Sequence, residues 1–249
     1  MHHDHIEALH TVRDLGLRLK PPDVAALDVA VHPPFTDIRT VQTLLEGEGI
    51  PVALGAQHCS DQDRGALTGE VSPQMLARLG VRYVIVGHSE RRRLFSMGDE
   101  EVAATVQAVL RHQMTPICCV GETVEERHAG RTEARLSAQV TAALAGLAPE
   151  QVAGLVVAYE PIWAIGTGEA ATAVDAEDAC VFIRGVVAGL AGDAAAGAVR
   201  IQYGGSVNAE NAPDLVSEPD IDGLLVGGAS LEAAGFVDLL RAVAACYRS

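Results

Sequence analysis

The sequence lacks the features of a membrane or nucleic-acid-binding protein. No apolar run reaches the roughly 18 to 20 residues that a membrane helix needs, and no basic stretch followed by an apolar core marks a secretion signal. The formal net charge is −15, and no large Lys/Arg cluster supplies the positive face that nucleic acid or anionic membrane requires. We expect a cytoplasmic protein with no nucleic-acid or membrane partner, although backbone dipoles could still bind a small anion.

Patterns for disulfides, metal ions and dinucleotides are absent as well. The five cysteines are odd in number and show no CxxC spacing, which indicates reduced thiols. The cluster from His2 to His5 does not place three ligands on one face of a helix, so a solvated helix start is favoured over a metal site. No GxGxxG follows the first apolar run, which disfavours an open dinucleotide-binding sheet.

Short apolar runs alternate with longer segments of helical period. Seven runs rich in Val, Ile and Leu are predicted strands, at 26–31, 52–57, 83–88, 116–121, 154–160, 199–204 and 222–227. The predicted helices lie at 36–48, 72–79, 99–111, 132–144, 175–190, 209–215 and 234–247, and residues 191–198 are expected to form a loose connection. The pattern is typical of parallel strands joined by crossover helices. With no linker, it predicts one domain over residues 1–249.

The two ends of the repeat bear on the fold class. Glycine pairs follow the last two strands, at Gly204-Gly205 and Gly227-Gly228, where a closed α/β barrel builds its phosphate site. At the start, a segment with apolar residues at helical spacing from Ile6 to Leu15 comes before any strand. The predicted fold is an α/β (β/α)8 barrel whose first strand is missing or truncated in this chain.

Glu160 is the first candidate for chemistry. It ends the strand 154–160 and is followed by PIWAIGTG, in which a rigid Pro-Ile-Trp stem precedes a Gly-Thr-Gly end that can act as a hinge. Since the C-terminal ends of barrel strands form the active mouth, a carboxylate beside an apolar lid can lose water and act as a base. The alternative is an ordinary rim carboxylate paired with an arginine.

His88 is the second candidate. It ends the strand 83–88, and the following Ser-Glu-Arg run opens like a helix. A helix N-terminus disfavours a positive imidazolium, so His88 is predicted to stay neutral and to donate a hydrogen bond to a substrate carbonyl. The alternative is a core histidine whose ring bonds a backbone carbonyl.

Seven motifs follow one another across nearly the whole chain: GAQHCS, ALTGEVS, YVIVGHSERRRLF, CCVGETVEER, AYEPIWAIGTG, IQYGGSVN and GLLVGGASL. In these motifs the sequence resembles the triosephosphate isomerase family, whose fold is the TIM (β/α)8 barrel. The resemblance implies a cofactor-free isomerase of glycolysis and gluconeogenesis, acting as a cytoplasmic homodimer. It would interconvert dihydroxyacetone phosphate and D-glyceraldehyde 3-phosphate through an enediolate.

The resemblance also implies roles for single residues. Glu160 would remove the proton from the carbon beside the substrate carbonyl, and His88 would stabilise the enediolate. Phosphate would be held by backbone N–H groups of Gly166, of Ser206 and of the pair Gly227-Gly228, which allows an acidic protein to bind a dianion. Singly, each glycine pair could be a mere turn.

Several supporting positions follow from the same resemblance. Glu90 would lie beside the catalytic pair, Cys119 would pack against the base, and Glu70 would pair with Arg91 near the subunit interface. Ordinary burial and ordinary salt bridges are the alternatives. His58 stands where the family usually has Asn, and no function is predicted for it.

The chain departs from the family pattern at its start. The family's first strand ends in an NWKM-type motif whose Asn and Lys reach the active site, and Met1 aligns with the last residue of that motif. Lys20 is the sole lysine in the sequence and lies at the far end of the first helix, so it cannot substitute. A gene start placed at an internal Met is favoured over a real loss of the strand, because such a loss leaves two unpaired edges.

Two other functions stay open at this point. An isomerase of a related four-carbon ketose phosphate could use the same residues, although the unbroken PIWAIGTG lid favours a triose. A catalytically silent barrel is suggested by the absent lysine, and intact Glu160 and His88 argue against it. The 249-residue chain by itself is expected to have little or no activity.

Overall fold

Seven parallel strands form one curled sheet in the computed structural model, which describes residues 1–164 and 171–247. They follow chain order as β1 Ala30–Val31, β2 Ala53–Ala56, β3 Tyr83–Val86, β4 Thr115–Val120, β5 Val156–Tyr159, β6 Arg200–Tyr203 and β7 Gly223–Leu224. Because all neighbours are parallel, the C-terminal ends of the strands share one edge. Within the described residues β1 and β7 do not pair with each other, so the sheet is a half-barrel.

Helices follow the strands as the alternation predicts. They are α1 His5–Arg18, α2 Pro21–Val24, α3 Ile38–Glu48, α4 Pro73–Arg78, α5 Ser89–Phe95, α6 Asp99–Arg111, α7 Val124–His128, α8 Thr132–Leu144, α9 Pro149–Ala153, α10 Ala173–Ala191, α11 Asp193–Ala198, α12 Ala212–Val216 and α13 Ala233–Cys246. Short 3-10 turns lie at Ile162–Ala164 and Gly228–Ser230. No helix among the described residues is both long and apolar enough to span a membrane.

The first helix closes the helical layer although the sheet stays open. Asp4 caps α1 in a reciprocal pair with Glu7, which satisfies amides that a helix start leaves free. The face with Val12 and Leu15 is buried, and α1 packs against both α3 and α13. Ile6, expected on the apolar face, is exposed instead. The ring of helices is therefore continuous across the two open strand edges.

The prediction of a loose connection at 191–198 is wrong. Asp193–Ala198 forms α11, and Ala195 and Ala196 are buried. The Arg184 side chain donates hydrogen bonds to the carbonyls of Ala196 and Val199, which supplies partners that a helix C-terminus lacks. This long-range capping has no signal in the local composition.

The apolar core has two parts, one on each face of the sheet. The larger part lies between the sheet and the helices. The smaller part, on the inner face, consists of Tyr83, Ile117, Cys119, Val156 and Ala158. Since side chains alternate along a strand, Glu160 continues the inner row of Val156 and Ala158 and comes out at its C-terminal end.

Candidate active site

Glu160 and His88 are in direct contact at the C-terminal edge of the sheet. Glu160 follows β5, His88 follows β3, and Glu160 Oε1 lies 2.9 Å from His88 Nε2. The other carboxylate oxygen accepts a hydrogen bond of 3.0 Å from the backbone N–H of Ser89. The Glu160 side chain is only 3% exposed, so the hydrogen bonds from His88 and Ser89 satisfy a carboxylate that is buried in the mouth.

Two glycines make room for Glu160. Its N–H extends the ladder by donating to the Val120 carbonyl at 2.8 Å, and a Cβ on Gly121 would collide with the Glu160 carbonyl. A Cβ on Gly204 would lie 3.1 Å from the Glu160 Cγ. The glycines that end β4 and β6 therefore allow the backbones to close in around the carboxylate.

Cys119 packs against Glu160 from β4. Burial raises the pKa of the Cys119 thiol well above its ordinary value, and the charge of Glu160 and a hydrogen bond with it raise it further. The thiol is fully buried and stays protonated, so it neither ionises nor competes for a proton.

The ring of His88 is held at both nitrogens. Nδ1 accepts a hydrogen bond of 3.3 Å from the Glu90 N–H at the start of α5, and Nε2 faces Glu160. A neutral ring with its proton on Nε2 satisfies both contacts. Burial lowers the pKa of His88, but the hydrogen bond and charge of Glu160 outweigh it, and the net pKa is raised. The expectation that the helix start would hold this pKa down is wrong for the ligand-free pair, because the carboxylate is the nearer charge.

Glu90 lies on the solvent side of His88. Its side chain is exposed, and its carboxylate comes to 3.8 Å from His88 Nδ1. Within the described residues it makes no contact with Glu160. Glu90 therefore contacts His88, through the hydrogen bond of its backbone N–H to Nδ1, but does not contact Glu160.

The described residues implied in phosphate binding lie at the same edge of the sheet. Ser206, Gly227 and Gly228 are exposed, and the described residues provide no acceptor for their backbone N–H groups. The Asn211 amide donates to the Ser206 carbonyl at 3.0 Å, which fixes the loop after β6. Gly166, the fourth residue implied in phosphate binding, lies outside the described residues.

His58 separates Glu70 from Arg91, so the implied direct pair is wrong. Arg91 Nη2 lies 3.0 Å from His58 Nε2, and the Glu70 carboxylate lies 3.6 Å from the same nitrogen. Burial and the positive charge of Arg91 lower the pKa of His58, while Glu70 opposes that shift. The neutral ring then accepts from Arg91, and the histidine bridges the 58–72 loop to α5.

A buried carboxylate that sequence reasoning missed anchors the 161–163 stem. Glu122 Oε1 accepts hydrogen bonds from the Tyr159 hydroxyl at 3.1 Å and from the Trp163 indole at 2.8 Å. Arg127 stacks on the Trp163 ring at 4.0 Å and reaches Asp175 at 2.9 Å. Glu122 and Arg127 both belong to the CCVGETVEER motif, which was the one available signal.

Arg92 was also missed, although it lies inside the YVIVGHSERRRLF motif. Its guanidinium is mostly buried and donates to the Gly87 carbonyl at 2.8 Å and to the Cys119 carbonyl at 3.2 Å.

Among the residues that the structure describes, no group of three or more His, Cys, Asp and Glu could hold a metal ion.

A parallel β/α barrel sheet with a carboxylate–imidazole pair at its C-terminal edge defines a class of enzymes that can move protons on a small bound substrate. The family model for triosephosphate isomerase matches residues 1–243, and the chain belongs to that family. It is 51% identical over 238 residues to a triosephosphate isomerase of Cutibacterium acnes, covering 95% of this chain and 92% of that relative. It is 49% identical over 239 residues to the one of Corynebacterium efficiens (96% and 91%) and 53% identical over 219 residues to the one of Roseiflexus sp. (88% and 85%).

Proposed function

We propose that this chain interconverts dihydroxyacetone phosphate and glyceraldehyde 3-phosphate, with Glu160 as the base and His88 as the electrophile. The observation that carries the proposal is the contact of 2.9 Å between Glu160 and His88 at the C-terminal edge of the sheet, in a chain of this family. A carboxylate and an imidazole N–H that face each other can act on neighbouring atoms of one small molecule. The relatives carry the same reaction in their name.

The reaction needs a proton to leave one carbon and return to the next. The Glu160 carboxylate takes the proton from C1 of dihydroxyacetone phosphate, and the electron pair forms the C1–C2 double bond of an enediolate. The His88 Nε2–H donates to the oxygens on C1 and C2 as charge develops there. Return of the proton to C2, with transfer of the hydroxyl proton from the first oxygen to the second, gives glyceraldehyde 3-phosphate.

Substrate must first separate the two catalytic side chains. In the ligand-free structure His88 donates to Glu160, so the substrate carbonyl replaces the carboxylate as the acceptor of the Nε2–H. Displacement removes the charge that raises the pKa of His88, and the helix-start N–H on Nδ1 keeps the proton on Nε2. The ring that meets the carbonyl is therefore neutral.

The phosphate binds through backbone N–H groups of Ser206, Gly227 and Gly228, together with Gly166. The three described amides are exposed and available, and glycine allows the close approach that a phosphate oxygen requires. Backbone N–H groups bind a dianion without a basic patch, which fits the net charge of −15.

A comparison of substrates tests this assignment. We expect kcat/KM to be higher for dihydroxyacetone phosphate than for a four-carbon ketose phosphate. We also expect it to be on the order of 100-fold or more higher than kcat/KM for unphosphorylated dihydroxyacetone, because phosphate binding stabilises the transition state. Turnover is expected to be slow, since Lys20 lies at the opposite edge of the barrel. A four-carbon substrate turned over faster would overturn the triose assignment. No turnover of any ketose phosphate would favour the silent barrel.

We also propose that the protein acts as a homodimer in the cytoplasm, as one domain. Exposed apolar side chains on the 58–72 loop and on α5 support the interface: Leu67 is 45% exposed, Leu94 62% and Phe95 63%. His58 and Arg91 connect these two segments, so they form one continuous surface. Five free thiols support a reducing compartment.

A further inference from the structure

Arg92 occupies a place where two strands part. The β3–β4 pairing ends at Val86 opposite Cys118, and Gly87 then turns away with a φ of +72°. The guanidinium of Arg92 lies just beyond the last β3–β4 pair, beside Gly87 and Cys119. Its Nε donates to the Gly87 carbonyl at 2.8 Å and its Nη2 to the Cys119 carbonyl at 3.2 Å. One side chain thus joins the carbonyl of Gly87, just after β3, to the carbonyl of Cys119 on β4.

Both carbonyls are adjacent to the catalytic pair. Gly87 immediately precedes His88. Cys119 precedes Val120, whose carbonyl accepts the Glu160 N–H, and the Cys119 thiol packs against the Glu160 carboxylate. Arg92 therefore contacts the backbone on both sides of the pair but touches neither catalytic side chain.

The guanidinium is itself held in place. Its Nη1 bonds the Asp99 carboxylate at 2.5 Å, and the other Asp99 oxygen lies 3.3 Å from Arg135. The Arg92 side chain is 10% exposed. A planar fork of N–H groups that is fixed at its outer end can hold two carbonyls at a set separation, whereas a lysine ammonium is a single point donor.

We propose that Arg92 is a positioning residue that sets the distance between His88 and Glu160. The proposal rests on the roles given to these two residues under the proposed function. The competing possibility is that Arg92 only anchors α5 to the sheet. The two differ in one respect: an anchor affects stability alone, but a positioning residue also changes how closely Glu160 and His88 pair.

The imidazole titration of His88 reports that pairing without any need for turnover. It is followed by NMR on protein with 15N-labelled histidine, in the parent and in Glu160→Gln, whose midpoint marks the unpaired state. In Arg92→Lys we expect the His88 midpoint to fall at least about halfway from the parent value to that of Glu160→Gln. Thermal unfolding of each variant shows whether the fold is retained.

Arg135→Gln is the matched control. It removes the second arginine on Asp99, but Arg135 contacts neither Gly87 nor Cys119. We expect it to leave the His88 midpoint at the parent value. Equal midpoints in Arg92→Lys and the parent, or equal displacement in Arg92→Lys and Arg135→Gln, would overturn the positioning role.

A second variant decides the matter if Arg92→Lys does not fold. Asp99→Asn keeps an acceptor oxygen but loosens the outer end of the guanidinium, so a smaller fall in the same direction is expected. An Asp99→Asn midpoint equal to that of the parent would contradict the proposal. Failure of the isomerase assignment would leave these titrations unchanged, because they measure geometry in the ligand-free protein.

Discussion

The protonation state of the His88 ring affects both the stability and the activity of the protein. Glu160 raises its pKa in the ligand-free protein, whereas the proposed reaction uses the neutral ring. The pairing stabilises the folded state fully below the unfolded histidine pKa of 6.5, and that contribution is lost as pH rises through the higher folded pKa. Stability and activity therefore respond to His88 in opposite directions.

We expect kcat/KM for dihydroxyacetone phosphate to increase with pH through a midpoint above 6.5, the ordinary histidine value. The physical reason is that a charged His88 stays paired with Glu160 in the free enzyme, so the substrate carbonyl cannot replace Glu160 as the acceptor of the Nε2–H. A pH profile of kcat/KM at constant ionic strength measures this midpoint. A profile that is flat from pH 6 to 8, or a midpoint below 6.5, would count against a raised pKa for His88.

His32 is a second titratable residue with a clear consequence. Its ring packs on Gly55, its Nε2 is buried without a hydrogen-bond partner, and burial lowers its pKa to about 4. His32 is therefore protonated near pH 6.5 in the unfolded chain, whereas in the folded protein it stays neutral until the pH approaches 4. We expect the free energy of unfolding to fall as pH drops from 6.5 toward 4, and His32→Leu to reduce that fall.

Urea unfolding at pH 7 and pH 5 measures the effect. His10→Leu is the control, because His10 is exposed on α1 and should leave the pH dependence as in the parent. If His32→Leu and His10→Leu lose stability equally between the two pH values, His32 is not responsible.

For single residues, the sequence predicts which side chains come close together, but it does not predict the hydrogen bonds that they form. Glu160 and His88 come together because each ends a parallel strand, and strand ends share one edge. The Ser89 N–H that holds the second oxygen of Glu160 is 71 residues away in sequence, and no pattern announces it. The insertion of His58 between Glu70 and Arg91 was equally hidden, since it depends on side-chain reach across two elements.

Among the structural elements, the 161–163 stem depends on the Glu122 carboxylate. Glu122→Leu removes the hydrogen bonds that the Tyr159 hydroxyl and the Trp163 indole donate to Glu122, and it removes one of the two carboxylates near Arg127. We expect a loss of about 2–4 kcal/mol in the free energy of unfolding, since a buried hydroxyl and a partly buried indole N–H each lose a hydrogen bond to a carboxylate.

Trp163 is the sole tryptophan in the sequence, so its fluorescence reports the stem directly during urea unfolding. Glu133→Leu is the control, because Glu133 is exposed on α8 and should change stability by about 0.5 kcal/mol or less. Equal losses in the two variants would remove Glu122 as the anchor of the stem.

The lengths of the strands show where local pattern stops being sufficient. The predicted helices 99–111 and 132–144 match α6 and α8 at both ends, because their apolar faces and end signals are local. The outermost strands are shorter than predicted, and β1 and β7 each keep two residues. Among the residues that the structure describes, each has a neighbour on one side only, and a strand's extent depends on its partners as well as on its own apolar run.

For the molecule as a whole, assembly is the first testable consequence. We expect Leu67→Asp to convert a dimer into a monomer, because it places a charge on the exposed apolar surface of the 58–72 loop. Leu190→Asp is the control, since Leu190 is similarly exposed on α10, away from that loop. Sedimentation velocity at micromolar concentration measures the mass. A monomeric parent, or a Leu67→Asp variant that stays dimeric, would contradict the proposed interface.

The central claim is that Glu160 removes a proton from the substrate, and exchange in deuterium oxide tests it most directly. Dihydroxyacetone phosphate is incubated with the parent and with Glu160→Gln, and deuterium at C1 is measured by NMR. We expect the parent to exchange this hydrogen well above the buffer rate and Glu160→Gln to be at least about 100-fold slower, in line with the contribution of a positioned base. Equal exchange in both proteins, or none in the parent, would contradict the role of Glu160.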